Sequence, residues 1–312
     1  MILTVTPNPS LDLLFRADRL LWDDANRVDA PRRRAGGQGI NLVRAARVLG
    51  GAAEAIALLG GETGSRLQML LESEGTPVHP VAIAGETRLF VGVAETAGRN
   101  LLLNPRGPQV ADAEVAALQE VVRKRVDAAR WLVCCGSLPP GAPPATYARL
   151  KEVAAAAGAR FVVDCDGEAL RLAAAGADLL VPNRHEAERL LGMCAGEIDS
   201  LDAALRAAAA LGARFEVPIV AVTLGAEGAV LVHGEERLVA RAPRVEGAGS
   251  AVGAGDAFLA GLLLGLDAGL PTAQALGRAV AAGSAVLLST GSAILDEADA
   301  ASLLPLASVH PA

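Results

Sequence analysis

A run of small residues directly before an aspartate is the part of the sequence with the clearest chemical meaning. Residues 252–256 read Val-Gly-Ala-Gly-Asp, and an apolar pattern of helical period follows from residue 257 to about residue 266. Small residues let a turn bring backbone N–H groups towards one point, and a helix N-terminus adds unpaired N–H groups and positive partial charge. The segment predicts a phosphate-type anion site, where Asp256 could take the proton of an attacking alcohol.

Other interpretations of the same glycines have different requirements. Glycine-rich turns before helices often bind nothing, so this segment alone leaves the anion site as a hypothesis. A dinucleotide-binding loop has a small residue where Phe258 stands, and it usually follows the first strand of a domain. A Walker A loop needs a lysine after a glycine, whereas the two lysines, Lys124 and Lys151, follow other residues.

Three further polar segments follow predicted strands or open predicted helices, where α/β sheets bind ligands. Residues 7–12 end in Asp12, which could hold sugar hydroxyls or be an ordinary turn residue. Residues 35–41 end in Asn41, whose amide can donate to and accept from a hydroxyl, although a simple helix-capping turn fits as well. Residues 136–141 could contact the same ligand.

Two acidic residues could lie near a metal ion. Asn183 and Glu186 begin a predicted helix after Pro182, and Asp164 ends a predicted strand. Mg²⁺ keeps several waters and takes few direct carboxylates, so Glu186 could bind it through water and Asp164 could join its outer shell. The alternative is a capping box between Asn183 and Glu186. Residues 223–228 are either a nucleotide-binding loop or a hairpin turn.

The composition excludes several other classes of protein. The chain of 312 residues is 52% hydrophobic, carries a net charge of −7 and has no basic block, which predicts no binding to nucleic acid or to membranes. No Ser-His-Asp order and no two-histidine metal spacing occurs. Four cysteines, two of them adjacent, indicate free thiols in a reducing cytoplasm, and no signal peptide or membrane span is predicted.

The elements that must position these residues alternate between strands and helices. Strands are expected at 2–6, 53–59, 131–135, 161–164, 179–181 and 219–223, with a hairpin around 228–238. Helices are expected at 39–49, 66–73, 113–128, 144–157, 186–191, 201–211, 256–265 and 272–289, the last two closing the chain. This order predicts one α/β domain over residues 1–312, with a mainly parallel sheet between helices. Residues 13–35 and 87–103 break the alternation and are expected to form a small antiparallel β lid.

The order of these motifs resembles the PfkB (ribokinase-like) family of carbohydrate kinases over essentially the whole chain. The segments that carry the resemblance are residues 6–12, 35–41, 86–88, 136–139, Asn183 with Glu186, 223–228 and 252–256. The sequences Asn-Pro-Ser-Leu-Asp at 8–12 and Gly-Ser-Leu-Pro at 136–139 are typical of its hexose-phosphate kinases, which include 1-phosphofructokinases, tagatose-6-phosphate kinases and minor 6-phosphofructokinases. The resemblance implies a ribokinase-like three-layer α/β/α domain with a β lid that closes over the sugar and forms a homodimer interface.

The resemblance also implies a role for each motif. Asp256 is the catalytic base, and the anion hole consists of Gly253, Ala254 and Gly255. The sugar is held by Asp12, Gly37, Gln38, Asn41 and Ser137, and Arg88 of the lid binds its phosphate. ATP, the phosphoryl donor, is bound by Asn183, Thr223, Gly225, Gly228, Ser250 and Gly283. Glu186 and Asp164 bind Mg²⁺ through water.

Four positions depart from the family pattern. Gln38 stands where a lysine often helps to bind a sugar phosphate, although the minor 6-phosphofructokinases have glycine there. Phe90 replaces a second basic residue of the lid. Ala251 follows Ser250 where the family often has Asp-Thr, and Val181 replaces a common lysine. Arg88 remains, and another charge could come from Arg27, Arg106 or Arg184.

The leading expectation is an ATP-dependent kinase that transfers the γ-phosphoryl group to a primary hydroxyl of fructose 1-phosphate, fructose 6-phosphate or tagatose 6-phosphate. Gln38 and Phe90 leave open a kinase of an unphosphorylated sugar or nucleoside. Ala251 and Val181 leave open a catalytically silent regulatory protein that binds a sugar or nucleotide. In the kinase, the helix N-terminus is expected to keep Asp256 ionised, so that it positions the hydroxyl and takes the proton late.

Overall fold

Two β-sheets organise the chain in a computed structural model that describes residues 1–96, 99–245, 251–289 and 295–312. Over these residues, the larger sheet has ten strands in the spatial order β14-β13-β12-β11-β10-β9-β8-β1-β4-β5. In chain order they are β1 (Ile2–Thr6), β4 (Ala53–Leu59), β5 (Val78–Ala82), β8 (Trp131–Cys135), β9 (Arg160–Asp164), β10 (Leu179–Leu180), β11 (Ile219–Thr223), β12 (Ala229–His233), β13 (Glu236–Arg241) and β14 (Ser308–Pro311).

The seven neighbouring strands β5, β4, β1, β8, β9, β10 and β11 of the large sheet are parallel, as the alternation of strands and helices predicts. Strand β1 pairs in parallel with β4 on one side and β8 on the other, and every residue of β1 and β8 is buried. Continuous apolar strands of this kind are typical of a parallel sheet covered on both faces. The carboxyl ends of the parallel strands therefore meet at one edge, while β12, β13 and β14 extend the sheet with antiparallel pairing.

Helices cover both faces of this sheet and give the three layers. Alternate residues of β8 show the division, because Trp131 and Val133 belong to one apolar core and Leu132 to the other. The core with Trp131 also contains residues of α1, α2, α8, α9 and α10, and the second core contains residues of α3 to α7. The helices are α1 (Gln38–Val48), α2 (Gly61–Ser73), α3 (Asp112–Val126), α4 (Thr146–Ala156), α5 (Gly167–Ala174), α6 (Arg184–Leu191), α7 (Leu201–Phe215), α8 (Ala254–Asp267), α9 (Thr272–Ala285) and α10 (Glu297–Leu303).

The predicted lid is a separate four-stranded sheet in the order β3-β2-β6-β7. Its strands are β2 (Ser10–Ala17), β3 (Arg32–Gly36), β6 (Arg88–Glu95) and β7 (Asn100–Leu103). The expectation of purely antiparallel strands is wrong, because β2 and β6 pair in parallel, with Asp12 opposite Phe90. The chain crosses the large sheet between these two strands, so a tight antiparallel hairpin is not available to them.

The two edge strands of the large sheet, β5 and β14, are not among the predicted strands. Strand β5 contains Pro80, and β14 contains Pro311, each at an outer position. Proline removes an N–H donor, so it is tolerated at a sheet edge but weakens the strand pattern in the sequence. The expectation that a helix over residues 272–289 closes the chain is wrong, because α9 is followed by α10 and β14. None of the described helices is long and apolar enough to cross a bilayer.

Candidate active site

A cavity of about 540 Å³ lies between the lid sheet and the carboxyl ends of the parallel strands. Its walls include Asp12 of β2, Asp164 at the end of β9 and Thr223 at the end of β11. The predicted site residues that line it are Asp12, Gly37, Gln38, Asn41, Arg88, Ser137, Asp164, Asn183, Glu186, Thr223, Gly253, Gly255 and Asp256. The fold therefore brings together residues that are up to 244 positions apart in the sequence (12 to 256).

Five predicted site residues are not part of the cavity wall. Four of them lie next to residues of the wall or of the turn after Thr223, and the fifth is not among the described residues. Ala254 and Gly283 pack against each other, since a Cβ on Gly283 would lie 3.1 Å from the Ala254 carbonyl oxygen. Gly225 and Gly228 follow Thr223 in the turn that leads into β12. A Cβ on Gly228 would collide with the Ala240 carbonyl oxygen, so the hairpin alone requires a glycine there. Ser250 is outside the described residues.

The N-terminus of α8 has the form expected of an anion site. Gly253 is its N-cap with φ of 87°, a left-handed conformation that favours glycine. The Ala254 N–H donates to Ala251 O at 3.1 Å and is already satisfied. Among the described residues, the next two N–H groups, of Gly255 and Asp256, find no backbone acceptor. These two first-turn groups are therefore available to a phosphoryl oxygen, while the role of Ala254 in the anion hole stays a prediction.

Asp256 is buried at the inner end of the cavity, with 6% of its surface exposed. Asn41 Nδ2 donates to Asp256 Oδ2 at 2.9 Å. Burial raises the pKa of Asp256 to about 7, although the hydrogen bond from Asn41 and the charge of Arg34 both lower it. Desolvation therefore opposes the helix N-terminus, which is expected to keep Asp256 ionised, and it outweighs the two favourable interactions.

Two other carboxyl groups face the same cavity. Burial raises the pKa of Asp164, and the nearby charges of Asp256 and Glu186 raise it further. Burial also raises the pKa of Glu186, while its hydrogen bond with the Asn183 N–H lowers it. A carboxyl group whose pKa is raised by two neighbouring carboxyl groups marks a place where a bound cation would relieve repulsion.

The Asn183 and Glu186 pair forms the capping box that is the alternative interpretation, and it also lies on the wall of the cavity. Asn183 Oδ1 accepts from the Glu186 N–H at 3.0 Å, and Glu186 Oε2 accepts from the Asn183 N–H at 2.9 Å. This is the capping box, and both side chains also line the cavity. Within the described parts of the chain, no three His, Cys, Asp or Glu side chains are close enough to enclose a metal ion. A cation here would need water and ligand oxygens as well, as expected for Mg²⁺.

Asp12 projects from the lid into a strongly basic environment. Ser10 Oγ donates to Asp12 Oδ1 at 2.6 Å. Burial raises the pKa of Asp12, and the Ser10 hydrogen bond and the charges of Arg34, Arg88 and Arg44 lower it. Neither Arg34 nor Arg44 is among the predicted site residues. The pairing of β2 with β3, which sets Asp12 opposite Arg34, would have indicated the first, and the three-residue spacing from Asn41 would have indicated the second.

Arg88 ties the lid to the rest of the protein. Its Nη2 and Nε donate to the Asn8 carbonyl oxygen at 2.8 and 3.2 Å, and its Nη1 donates to Pro105 O at 3.0 Å and to Asn104 Oδ1. These contacts occupy most of the guanidinium N–H groups. Binding of a phosphate by Arg88 remains a prediction, and it would require the remaining N–H or an exchange of partners.

The fold and the cavity define a phosphotransferase that acts on a carbohydrate alcohol. The pattern of the pfkB family of carbohydrate kinases matches residues 9–299, and the chain belongs to this family.

Known relatives agree with this assignment. The chain is 34% identical to 1-phosphofructokinase of Xanthomonas campestris pv. campestris over 270 residues, 85% of this chain and 83% of the relative. It is 33% identical to ATP-dependent 6-phosphofructokinase isozyme 2 of Mycobacterium tuberculosis over 310 residues, 98% of this chain and 89% of the relative. The crystal structure of phosphofructokinase-2 from Escherichia coli in complex with fructose-6-phosphate superposes with a TM-score of 0.90 at 32% identity, covering 98% of each chain.

Proposed function

We propose that the protein is an ATP-dependent kinase that transfers the γ-phosphoryl group to a primary hydroxyl of a hexose monophosphate, with Mg²⁺. The observation that carries this proposal is the position of Asp256 beside the open first turn of α8, in one cavity with Asp12 and Arg88 of the lid. Phosphoryl transfer depends on positioning and charge stabilisation, and this site is built from such groups.

The residues of the cavity divide into those for the reaction and those for the sugar. Asp256 accepts the proton of the attacking hydroxyl, and the N–H groups of Gly255 and Asp256 stabilise the charge on the transferring phosphoryl group. Asn41 holds the Asp256 carboxyl group by its 2.9 Å hydrogen bond. Asp12, Asn41 and Ser137 bind hydroxyl groups of the sugar, while the lid excludes water, which would otherwise compete as acceptor.

The donor set fits Mg²⁺ bound through water. Glu186 and Asp164 would hold it, and when bound it supplies positive charge to the phosphate oxygens of ATP. The fit rests on three of the carboxyl groups that line this cavity, those of Asp164, Glu186 and Asp256, because the last two raise the pKa of Asp164. Asn183 and Thr223 line the cavity and are linked by a β-bridge at the strand ends. These two residues bind the nucleotide in this proposal, together with Gly225, Gly228, Ser250 and Gly283.

The relatives support a phosphorylated acceptor. Two of them are named 1-phosphofructokinase and ATP-dependent 6-phosphofructokinase, and a solved relative was crystallised with fructose-6-phosphate. The positive charges of Arg34, Arg88 and Arg44 around Asp12 agree with an anionic ligand on this side of the cavity. A kinase of an unphosphorylated sugar is the second candidate, because Phe90 lines the cavity and Arg88 already binds protein oxygens.

A coupled assay of ADP release tests the proposal. The substrates are ATP with fructose 1-phosphate, fructose 6-phosphate, tagatose 6-phosphate, fructose or ribose, each with and without Mg²⁺. We expect Mg²⁺-dependent ADP release that is fastest with one of the three phosphorylated sugars. Faster release with fructose or ribose would favour the second candidate. Sugar-dependent ADP release with none of the five would overturn the kinase and favour a binding protein.

The lid also supports a homodimer. Leu89 lies between the cavity residues Arg88 and Phe90 on β6, so it faces the opposite side of the lid sheet, where it is 42% exposed. Leu103 of β7 lies on the same side and is 53% exposed. Exposed apolar residues on one face are typical of an interface. In this proposal residues 1–312 form one kinase domain, and the free thiols of Cys134, Cys135, Cys165 and Cys194 fit a cytoplasmic location.

A further inference from the structure

A chain of hydrogen bonds runs from the surface to Asp256 through helix α1. Glu74 Oε2 accepts from Arg44 Nε at 2.8 Å and lies 2.7 Å from its Nη2. Arg44 Nη1 donates to Asn41 Oδ1 at 3.3 Å, and Asn41 Nδ2 donates to Asp256 Oδ2 at 2.9 Å. The motifs of the sequence give roles to Asn41 and Asp256 but none to Arg44 or Glu74.

The two ends of the Asn41 amide have opposite hydrogen-bonding character. Its NH₂ group stabilises the ionised carboxylate of Asp256, whereas its oxygen would repel it. The guanidinium group of Arg44 has only donors, so it can pair only with the oxygen. Because Arg44 and Asp256 bind opposite ends of the amide, Arg44 fixes the orientation that presents Nδ2 to Asp256.

We propose that Arg44 is a positioning residue for phosphoryl transfer, which acts on Asp256 through Asn41, and that Glu74 holds Arg44 in place. The inference rests on the proposed function, in which Asp256 is the base. The side chain of Arg44 is only 14% exposed, so its charge is largely desolvated and needs the partner that Glu74 provides. Asn41 and Arg44 are three residues apart on α1 and thus share one face of the helix.

Other charged or titratable groups also face Asp256. Arg34 of β3 lowers the pKa of Asp256, while Asp164 of β9 and Cys135 of β8 are within electrostatic reach of it. The Asn41 amide, however, bonds to Arg44 and Asp256. If Arg44 acts through this amide, its effect disappears when Asn41 is also replaced. An effect of the surrounding charges would remain.

A second route from Arg44 to the site must be distinguished from the first. Arg44 Nη1 also donates to Ala35 O at 2.7 Å, at the end of β3 beside the glycines that open α1. Loss of this bond would move the loop without involving the amide. If Arg44 acts through Asn41, its removal has no further effect once the amide is gone, whereas the two losses multiply if it acts through Ala35.

A double-mutant cycle decides between these routes. The variants are Arg44→Met, Asn41→Ala and their combination, with Arg47→Met as the matched control, since Arg47 is an exposed arginine on the same helix. We expect Arg44→Met to lower kcat about ten- to a hundredfold, a larger effect than any rise of KM for the sugar phosphate. The double variant should be no slower than Asn41→Ala, and Arg47→Met should match the unmodified protein. Unchanged kcat in Arg44→Met, or losses that multiply, would overturn the inference.

A measurement without substrate separates this inference from the proposed function. The side-chain ¹⁵N–¹H signals of Asn41, assigned by their loss in Asn41→Ala, should shift in both Arg44→Met and Asp256→Asn and stay unchanged in Arg47→Met. Unchanged signals in Arg44→Met would overturn the inference whatever the activity. An unmodified protein that is inactive on every sugar phosphate would instead contradict the proposed function, and the signals would still decide whether Arg44 orients the amide.

Discussion

The two sides of the cavity are built in different ways. On the side of the large sheet, Asp256 is buried and held by Asn41, and the first turn of α8 presents open N–H groups. On the lid side, Asp12 and Arg88 lie on a sheet of four strands. A phosphate site would present free positive charge, but here Phe90 lines the cavity and most N–H groups of Arg88 already bind protein oxygens. In the proposed mechanism, the large sheet determines the reaction, while the lid determines which acceptor is used.

The largest effect is expected on the large-sheet side. Asp256→Asn should lower kcat about a thousandfold, because the amide cannot accept the proton of the hydroxyl. Asparagine has the same shape and can still accept the hydrogen bond from Asn41, so the melting temperature should not fall. Steady-state kinetics and thermal unfolding check the two statements, and near-normal turnover would remove Asp256 from the mechanism.

The matching change on the lid side should affect binding more than turnover. Arg88→Ala should raise KM for fructose 6-phosphate about ten- to a hundredfold, since it removes a charge that pairs with the phosphate. KM for unphosphorylated fructose should change much less. Arg33→Ala, an exposed arginine of β3 in the same sheet, is the control. Equal changes for both sugars would show that Arg88 acts only by tying the lid to Asn8 and Pro105.

The pH profile separates the reacting carboxyl group from the lid. Burial raises the pKa of Asp256 to about 7, and the base works only when deprotonated. Below that pH, kcat/KM should therefore fall about tenfold per pH unit, and it should level off above it. In Arg88→Ala, this fall of kcat/KM at low pH should occur at the same pH. A flat profile from about pH 5.5 to pH 8 would contradict the proposed protonation state of Asp256.

The smallest effect on the chemistry is expected from the outer face of the lid. Leu89→Glu with Leu103→Glu should convert the dimer to a monomer, because charges would be buried in an apolar contact, and turnover at saturating substrate should fall only a few-fold. Light scattering after gel filtration measures the mass. Met69→Glu, at an exposed apolar residue of α2, is the control. A chain that is monomeric without substitution would contradict the proposed interface.

Part of the fold and of the candidate site could be predicted from the sequence. The buried strands and the helices beside them could be predicted, because continuous apolar runs and the helical period are strong signals. Asp256, Asn41 and Asp12 could be identified because glycine-rich turns and polar residues at strand ends mark a ligand site. Their placement in one cavity agrees with those predictions.

The other features of the lid and the site depend on strand pairing and on side-chain burial, which cannot be read from the sequence. The parallel contact of β2 with β6 joins segments 78 residues apart (10 to 88), and no turn between them fixes its register. The raised pKa of Asp256 arises from desolvation, and the satisfied N–H of Ala254 arises from a local turn. Arg34 and Arg44 were missed because their relation to the site appears only when β3 and α1 are placed beside Asp12 and Asp256.

The most direct test is the ³¹P NMR spectrum of the product formed from ATP, Mg²⁺ and whichever of the three hexose monophosphates gives the fastest ADP release. The account predicts ADP and a sugar bisphosphate with a new phosphoester on a primary hydroxyl, in equal amounts. ADP with inorganic phosphate, and no bisphosphate, would show that water is the acceptor. That result would contradict the claim that the cavity between the lid and the large sheet directs the phosphoryl group to a sugar alcohol.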